Sequence, residues 1–304
     1  MMIMFNVNLL LFCLMLLLLV AFLVLLERKF LGLLQERKGP NIVGLYGLFQ
    51  TVMDGIKLIL KKNFMYYGSY YFGLLPMLGL FLSISHFLVV PLPYTLVGGD
   101  FTALYTFVLM GLLVYVVLGC GYVSGSGYGI IGSVRAVAQM ISYEVVFMFY
   151  ILSFMYLFGT YSWKMFLVLG SVDFTFLKVF FFLVWLILSV AELNRTPFDL
   201  VEGESELVSG YNVEYSGYGF TLLFLSEYMN IWFMGMLFSL IFMFNLVFFF
   251  FGEVLYVSLV VWIRGLLPRF KFIQLIELMW KVFLPCVFFF FIFFFYIKYL
   301  VMLL

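Results

Sequence analysis

Eight long apolar runs divide this chain, and they limit what it can fold into more than any other feature. Of its 304 residues, 66% are hydrophobic and only 10% are charged. A helix needs about 20 apolar residues to cross a hydrocarbon core of about 30 Å. The runs therefore predict an all-α integral membrane protein with about eight transmembrane helices and no room for a separate soluble domain.

The predicted spans form a single membrane domain over residues 1–304. They lie near 3–26, 71–90, 101–121, 136–158, 174–191, 217–240, 243–263 and 282–304. The first run is interpreted as a retained span, because it has neither a basic segment before it nor a small-residue cleavage site after it. The turn between the sixth and seventh spans is placed near Asn245. Most of the 16 basic residues then share one side of the membrane, which the positive-inside rule assigns to the cytoplasm or matrix.

Residues 44–62 predict a helix of another kind. Apolar residues recur there every three or four positions, whereas Gln50, Asp54, Lys57 and Lys61 share the opposite face. This pattern is typical of an amphipathic helix that lies in the membrane interface. Such a helix is either an anchor packed on the spans or one side of a lateral opening for an amphiphile, and the sequence leaves both open.

The usual cofactor motifs are absent or out of context. Residues 127–132 match GxGxxG but follow an apolar span instead of a strand, so they predict a flexible loop between spans. Cys13, Cys120 and Cys286 are far apart, and His86 is the only histidine. This supply of ligands argues against a metal or iron–sulfur site. We expect His86 to be a hydrogen-bonded or interfacial side chain.

An acidic segment at residues 191–216 contrasts with the apolar runs, because it has only one basic residue, Arg195. Its carboxylates are Glu192, Asp199, Glu202, Glu204, Glu206 and Glu214. Thr196 and Pro197 predict the N-cap and first residue of a short helix. That helix would place Asp199, Glu202 and Glu206 on one face. The alternative interpretation is an ordinary surface helix whose acidic face is in contact with water.

Two further acids lie inside predicted spans. Glu144, which follows Tyr143, and Glu227 both fall near the middle of the bilayer at a rise of about 1.5 Å per residue. Ionised groups at that depth are costly, and acids in spans usually face a hydrated cavity or take part in proton transfer. Glu192 stands at the end of the fifth span, between the acidic segment and these two acids. Together they predict a file of acids that leads from the loop into the membrane.

Several segments resemble chain 1 of NADH–ubiquinone oxidoreductase, the mitochondrially encoded membrane subunit family of respiratory complex I. They are residues 27–32, 35–44, 54–58, 135–139, 141–144, 191–215, 227–231, 262–264 and 268–270. The similarity extends over nearly the whole chain, and the segments follow in the same order. Two signatures of this length make a chance match very improbable.

The resemblance implies a core subunit at the junction of the membrane arm and the hydrophilic arm. Such a subunit would form much of the ubiquinone-access chamber and couple quinone reduction to proton translocation, without being catalytic alone. Ubiquinone would be the substrate, this chain would bind no cofactor, and FMN and iron–sulfur clusters would belong to partner subunits. The partners would be hydrophilic subunits at the quinone site, adjacent membrane-arm subunits and lipids of the mitochondrial inner membrane, with no nucleic acid.

The resemblance also implies roles for individual residues, with no catalytic residue and no metal site. Residues implied for the quinone path are Arg28, Arg37, Arg195, Phe224 and Arg269. Residues implied for the proton relay are Tyr143, Glu144, Glu192, Asp199, Glu202, Glu204, Glu206, Glu214 and Glu227.

One departure from the family and two alternatives remain. Relatives often have a basic residue in the seventh span, but residues 196–263 contain no Lys or Arg, and the role of Glu253 in that region is not assigned. The first alternative is an ion- or proton-translocating membrane subunit of a hydrogenase-like complex without quinone. The second is a structural anchor for a peripheral complex.

Overall fold

The computed structural model describes residues 2–61, 70–91, 98–164, 166, 175–199, 210–212, 214–243 and 246–303. No strand occurs within these ranges, so the all-α prediction is confirmed. The turn predicted at Asn245 lies outside the described residues, as do Glu202, Glu204 and Glu206 of the acidic segment.

The described helices are numbered here in chain order. They are α1 (Met2–Leu34), α2 (Gln50–Leu60), α3 (Tyr71–Val89), α4 (Thr102–Val123), α5 (Gly127–Phe158), α6 (Thr175–Glu192), α7 (Tyr218–Phe242), α8 (Leu246–Leu266), α9 (Phe272–Leu278) and α10 (Leu284–Leu303). A π-helical turn at Met279–Phe283 joins the last two helices. It precedes Pro285, which has no N–H with which to continue the regular i to i−4 hydrogen bonds.

Seven of the described helical segments are long and apolar enough to cross a membrane. They are Val7–Leu34, Tyr71–Val89, Thr102–Val123, Gly127–Phe158, Tyr218–Phe242, Phe249–Leu266 and Phe272–Tyr299. A shorter apolar segment, Phe181–Glu192, belongs to α6, whose full length is 18 residues. With α2 as the amphipathic helix, this arrangement agrees with the predicted fold class.

Helix α7 lies at the centre of the bundle. It packs against α1, α2, α3, α6 and α8. In its apolar window 78% of the residues are buried, compared with 22% in that of α1. The outer helices leave large apolar side chains exposed, which suits contact with lipid or with partner chains.

Helix α2 is shorter than the amphipathic helix predicted over residues 44–62. Its bounds are Gln50–Leu60, none of its residues is buried, and Leu45–Gly47 forms a separate 3-10 turn before it. Arg28 of α1 binds Asp54 of α2 with an Nη1 to Oδ2 distance of 2.7 Å. This ion pair joins the amphipathic helix to the end of the first span.

Residues 127–132 do not form the predicted flexible loop, because they begin α5. The side chain of Ser126 caps this helix by accepting a hydrogen bond of 3.2 Å from the backbone N–H of Gly129. A Cβ on Gly132 would lie 2.9 Å from the backbone of Gly210. Close packing therefore requires a glycine at position 132. The sequence pattern alone did not show whether this glycine serves close packing or a flexible loop.

The helix predicted to start at Thr196 and Pro197 is also incorrect at its first turn. Residues 193–199 form turns and a bend after the end of α6, and the peptide between Thr196 and Pro197 is cis. The hydroxyl of Thr196 donates to the carbonyl oxygen of Arg264 over 3.4 Å. Contacts with the distant α8 therefore override the local capping preference of this sequence.

Candidate functional site

A buried carboxylate near the end of α1 connects three helices with the segment after α6. Glu27 is 5% exposed. Its Oε1 accepts a hydrogen bond from Arg264 of α8, and its Oε2 accepts one from the hydroxyl of Tyr228 of α7. Arg195, after α6, has its Nη1 3.6 Å from Oε1. Glu27, Arg195, Tyr228 and Arg264 are termed the Glu27 cluster below.

The Glu27 cluster has a surplus of positive charge, since one carboxylate faces two guanidinium groups. The guanidinium of Arg195 also lies over the ring of Tyr228, 4.4 Å from the ring centroid. Burial acts to lower the pKa of Arg195, but Tyr228, Glu27 and Glu227 outweigh burial and hold that pKa above its ordinary value. Arg195 is therefore a permanent buried cation that can attract an anion or a polar headgroup.

A cavity of about 90 Å³ lies between α3, α4, α5, α7 and the segment after α6. Much of its wall is apolar, with residues such as Met110, Val116, Leu223 and Phe233. Its polar and ionisable lining residues are His86, Glu192, Asn194, Arg195, Asp199, Tyr211, Ser226, Glu227 and Asn230. Because Arg195 also belongs to the Glu27 cluster, it joins the two parts of the site.

The three acids predicted to lie in or beside the spans have different neighbours. Glu227 accepts a hydrogen bond of 2.7 Å from the hydroxyl of Tyr211. Glu192 has a buried oxygen, Oε2, without a hydrogen-bond partner among the described residues. Glu144 lies outside the cavity lining, and its Oε1 is 3.1 Å from where a Cβ on Gly111 would stand. Glu144 and Glu192 nevertheless interact electrostatically, so protonation of one affects the other.

The segment after α6 is held against α5 by Gln139. Its Nε2 donates to Oδ1 of Asn194 over 2.9 Å and to the carbonyl oxygen of Phe198 over 2.7 Å. One turn further along α5, Tyr143 is fully buried and its ring lies edge-on to that of Phe198, with the centroids 6.1 Å apart. The hydroxyl of Tyr143 has no hydrogen-bond partner in the described part of the chain and interacts electrostatically with Glu192.

The same segment is held on its other side by residues between α8 and α9. Arg269 binds Asp199 with an Nη2 to Oδ2 distance of 3.1 Å. The ring of Phe270 stacks on that of Phe198, with centroids 5.6 Å apart. The backbone N–H of Phe270 donates a hydrogen bond of 3.0 Å to the carbonyl oxygen of Pro197. These three interactions are termed the loop contact. They fix the carboxylate of Asp199 at the cavity.

A family model and three relatives compared with this chain point to one family. A family model described as NADH dehydrogenase matches residues 7–295. NADH-ubiquinone oxidoreductase chain 1 of Anopheles gambiae is 46% identical over 276 residues, which cover 88% of this chain and 87% of that protein. The protein of the same name from Apis mellifera ligustica is 41% identical over 290 residues, or 92% of this chain and 93% of the relative. The one from Notamacropus eugenii is 42% identical over 295 residues, or 93% of each. The chain belongs to the NADH–ubiquinone oxidoreductase chain 1 family.

This membership confirms the resemblance found in the sequence and identifies the chain as a membrane subunit of respiratory complex I. The roles implied for single residues of this chain 1 protein stay predictions, but their positions can be described. Glu192, Asp199 and Glu227 line the cavity together with Arg195. Glu227 of α7 is thus a neighbour in space of three residues from 192–199, and the four had been assigned to two different roles.

Other residues of the predicted quinone path lie near the site or away from it. Phe224 packs against the ring of Tyr228, with centroids 4.5 Å apart, and so adjoins the Glu27 cluster. Arg28 instead pairs with Asp54 at the α1–α2 junction. Arg37 is exposed, and its Nε donates to the side chain of Gln35 over 2.9 Å.

Glu214 and Arg269 have positions that the sequence did not indicate. Glu214 is half-buried just before α7 and lines neither the cavity nor the Glu27 cluster. Arg269 had been assigned to the quinone path, and in the structure it pairs with Asp199 of the predicted relay. This ion pair therefore joins the two predicted groups.

Sequence reasoning missed Glu27, Tyr228 and Arg264 as site residues. A weak signal was present, because Glu27 and Arg264 both stand near the end of an apolar run, where a charge is read as the edge of a span. All three residues also lie in segments that resemble the family, 27–32, 227–231 and 262–264, but the resemblance did not mark them as site residues. Only the contacts between them in the folded chain distinguish these residues from ordinary polar residues at a membrane boundary.

The cysteines and the histidine form no metal site in the described part of the chain. No group of three or more His, Cys, Asp or Glu side chains there could hold a metal ion, and the three cysteines are free. His86 was expected to be hydrogen-bonded or interfacial. It is 1% exposed and stacked on Phe233, and neither ring nitrogen has a hydrogen-bond partner among the described residues. The expected hydrogen bond stays a prediction.

Proposed function

We propose that this complex I subunit forms much of the ubiquinone-access chamber and couples quinone reduction to proton translocation. In this proposal ubiquinone is the substrate, and the FMN and iron–sulfur clusters that supply its electrons belong to partner subunits. Those partners are the hydrophilic subunits at the quinone site, and adjacent membrane-arm subunits continue the proton pathway. The chain works in the mitochondrial inner membrane, in contact with lipid.

The observation that carries this proposal is the mixed lining of the cavity. Asp199 and Arg195 come from the segment after α6, Glu192 ends α6, and Glu227 comes from the central helix α7. Carboxylates that face a polar cavity inside an apolar bundle can change protonation when a nearby charge changes. A charge that appears near Arg195 would therefore alter the proton affinity of Glu192 and Glu227.

The Glu27 cluster supports the quinone part of the proposal. The headgroup of a quinone is planar, accepts hydrogen bonds and becomes more negative as it is reduced. Arg195 offers a permanent positive charge, and Phe224 and Tyr228 offer aromatic surfaces beside it. Fixed positive charges stabilise negative charge that develops in a site with little water. The cluster thus suits a reduced headgroup that has not yet been protonated better than it suits the oxidised headgroup.

The α1–α2 junction supports a lateral route from the bilayer. A groove there is lined by apolar residues of α2, including Met53 and Ile56, and by the charged side chains of Arg28, Asp54 and Lys57. An amphiphile with an apolar tail and a polar head matches this combination. Arg28 would contact the headgroup as it leaves the lipid, whereas Arg37 and Arg269 would act at the exposed margin of the path.

The proposal is tested by Glu192→Gln and Glu227→Gln in the intact complex. Each change removes a titratable proton site and keeps the size of the side chain. We expect NADH oxidation linked to quinone to fall by about a hundredfold, the lower end of the contribution of a positioned acid–base group. NADH oxidation by an artificial acceptor, which needs only the hydrophilic arm, should continue at its normal rate.

Glu277→Gln is the matched control, because Glu277 is exposed and pairs with Lys281 on the surface of α9 and the π-helical turn. It should leave both activities unchanged. Normal quinone-linked turnover in both Glu192→Gln and Glu227→Gln would contradict the proposal. Loss of both activities, together with a weaker complex I band on a native gel, would show failed assembly instead.

A further inference from the structure

Glu253 is a buried acid of the bundle for which the proposed function has no role. It lies on α8, is 8% exposed, and forms no hydrogen bond or ion pair with the described residues. Arg264, near the inner end of the same helix, is about 16 Å away along the helix axis at a rise of about 1.5 Å per residue. Glu253 therefore stands near the middle of a hydrocarbon core of about 30 Å.

Helices α7 and α1 pack against α8, and in the described part of the chain they bring no cation into contact with Glu253. A Cβ on Gly235 of α7 would lie 3.4 Å from Cγ of Glu253, so this acid lies directly against the backbone of α7. The charged groups of both helices lie toward the inner side, where Glu27 pairs with Arg264 and Glu227 lines the cavity. The titratable residues of α1 and α7 are Cys13, Glu27, Arg28, Lys29, Tyr218, Glu227 and Tyr228.

Tyr256 lies one turn from Glu253 on the same face of α8. It is fully buried, and a Cβ on Gly235 would lie 3.3 Å from its Cδ1, so both side chains flank one point of α7. Its hydroxyl is close to that of Ser189 on α6, but no contact there has hydrogen-bond geometry within the described residues. Tyr256 therefore links the buried face of α8 with α6.

Helix α6 continues from Ser189 to the predicted relay. Ser189 is fully buried, and Glu192 lies one turn further toward the inner end, with a buried Oε2 that has no partner among the described residues. Lys178 is the other titratable residue of α6. It lies about 16 Å from Ser189 toward the outer end at a rise of about 1.5 Å per residue, and its side chain is outside the described part. The order Glu192, Ser189, Tyr256, Glu253 thus places two hydroxyls between two acids.

This order of groups is one that can pass a proton. A hydroxyl can accept a proton on its oxygen and release the proton that it held. Acids inside spans usually face a hydrated cavity or take part in proton transfer, because an ionised group there is costly. A purely structural role would require a partner that accepts a hydrogen bond from Glu253, and none occurs among the described residues.

We propose that Glu253 is a proton-binding site of this subunit, which exchanges a proton with Glu192 through the hydroxyls of Ser189 and Tyr256. In this step the carboxyl group of Glu192 loses one proton and the carboxylate of Glu253 gains one. Each hydroxyl takes up one proton and releases another, so both are unchanged at the end. The inference rests on the proposed function, because Glu253 can follow Glu192 only if Glu192 changes protonation during quinone reduction.

The experiment is infrared difference spectroscopy of the intact complex, reduced by NADH in the presence of a short-chain ubiquinone. A protonated carboxyl group has a carbonyl stretching band that its ionised form lacks, so this band reports protonation directly. We expect the native complex to show such a band that changes during turnover and is missing in Glu253→Gln. Glu277→Gln, which removes an exposed acid, is the control and should keep the band.

Tyr256→Phe tests the route, because it removes the hydroxyl and keeps the ring against α7. The band of Glu253 should then develop about a hundredfold more slowly after mixing with NADH, the lower end of the contribution of a positioned proton-transfer group. Its rate in Glu277→Gln should equal that of the native complex. An unchanged rate in Tyr256→Phe would overturn the hydroxyl route.

A Glu253→Gln spectrum identical to that of the native complex would overturn the proton site itself. If Glu253→Gln does not assemble, Glu253→Asp decides the question, since it keeps a carboxyl group on a shorter side chain. The band must then shift in frequency. An unshifted band would belong to another acid and would equally overturn the site.

Failure of the proposed function has a different signature. That function is tested by quinone-linked turnover in Glu192→Gln and Glu227→Gln, whereas this inference is tested by the band of Glu253. Lost turnover in Glu192→Gln, together with no response of Glu253 in the native complex, would overturn the inference alone. Normal turnover in both variants would overturn the proposed function, and the exchange between Glu192 and Glu253 with it.

Discussion

At the residue scale, the Glu27 cluster shows how charges are tolerated inside an apolar bundle. Removing an ion from water costs several kcal/mol, and one partner alone rarely compensates for that loss. Glu27 has two guanidinium groups and a tyrosine hydroxyl around it. This carboxylate is therefore stabilised by all of its neighbours together, and each neighbour depends on it in turn.

Glu27→Gln should accordingly destabilise the subunit. The change removes the carboxylate that pairs with Arg195, whose side chain is 12% exposed. Breaking a buried ion pair by removing one partner costs about 3–5 kcal/mol, and we expect a loss of ~3 kcal/mol because glutamine retains some hydrogen bonds. The measurement is the thermal stability and yield of the assembled complex on native gels.

Glu36→Gln is the control for this change, since Glu36 is exposed just beyond the end of α1. It removes the same charge from the same part of the chain and should have no measurable effect. If the two variants behave alike, net charge and not the Glu27 cluster determines stability there.

At the element scale, the start of α5 shows that glycines in one short motif have different roles. A Cβ on Gly132 would meet the backbone of Gly210 and Tyr211 at 2.9–3.2 Å, whereas a Cβ on Gly127 would meet nothing within 4 Å. Backbone cannot move aside as a flexible side chain can. The packing of α5 against Gly210–Asn212 thus depends on Gly132 and not on Gly127.

Alanine should be destabilising at one of these two positions and tolerated at the other. Gly132→Ala should lower the thermal stability of the complex, because α5 must move away from Gly210. Gly127→Ala should leave it unchanged or raise it by up to about 1 kcal/mol, since alanine favours the helical state and meets no neighbour there. Thermal unfolding of both variants is the measurement, and destabilisation by Gly127→Ala would refute the assignment.

The loop contact is a second element whose strength can be tested. Arg269→Gln removes the ion pair with Asp199, and because Arg269 is 44% exposed the cost should be about 1 kcal/mol or less. We expect the peptide that contains residues 193–199 to exchange its amide hydrogens severalfold faster. Hydrogen-exchange mass spectrometry of the purified complex measures this change.

Lys271→Gln is the matched control for the loop contact. Lys271 is exposed and lies two residues beyond Arg269. It forms no ion pair with the described residues. Its removal should leave exchange in residues 193–199 unaltered. Equal acceleration in both variants would mean that general positive charge, and not the pair with Asp199, holds this segment.

At the scale of the whole molecule, the bundle is built to be one part of a larger assembly. Its outer helices expose many large apolar side chains, among them Phe81, Phe251, Phe289 and Ile292. Lipid can cover some of this surface, and partner helices can cover the rest. Membership of the chain 1 family makes the partners complex I subunits.

The chain should therefore co-migrate with NADH-oxidising and iron–sulfur subunits when membranes are solubilised gently and run on a native gel. The expected result is a single large band that stains for NADH oxidation and contains this chain by mass spectrometry. Recovery of the chain only in a smaller particle without those subunits would contradict the proposed function. It would then favour an ion pathway or an anchor.

The all-α membrane class and the family both follow from the amino-acid sequence alone. Long apolar runs leave the backbone no other way to satisfy its hydrogen bonds in lipid, so class follows from composition and length. The acidic character of residues 191–216 and the unusual depth of Glu144 and Glu227 were also visible, because each depends only on position along the chain.

Which of these groups come into contact depends on how the helices pack. Glu27 and Arg264 are 237 residues apart in sequence, and Asp199 and Arg269 are 70 apart, yet each pair is in contact. Local propensity and periodicity carry no information about such pairs, and contacts at residues 193–199 overrode the local helix signal. The packing of the helices determines which groups pair with a buried charge. An unpaired ion is costly only when the folded bundle removes it from water.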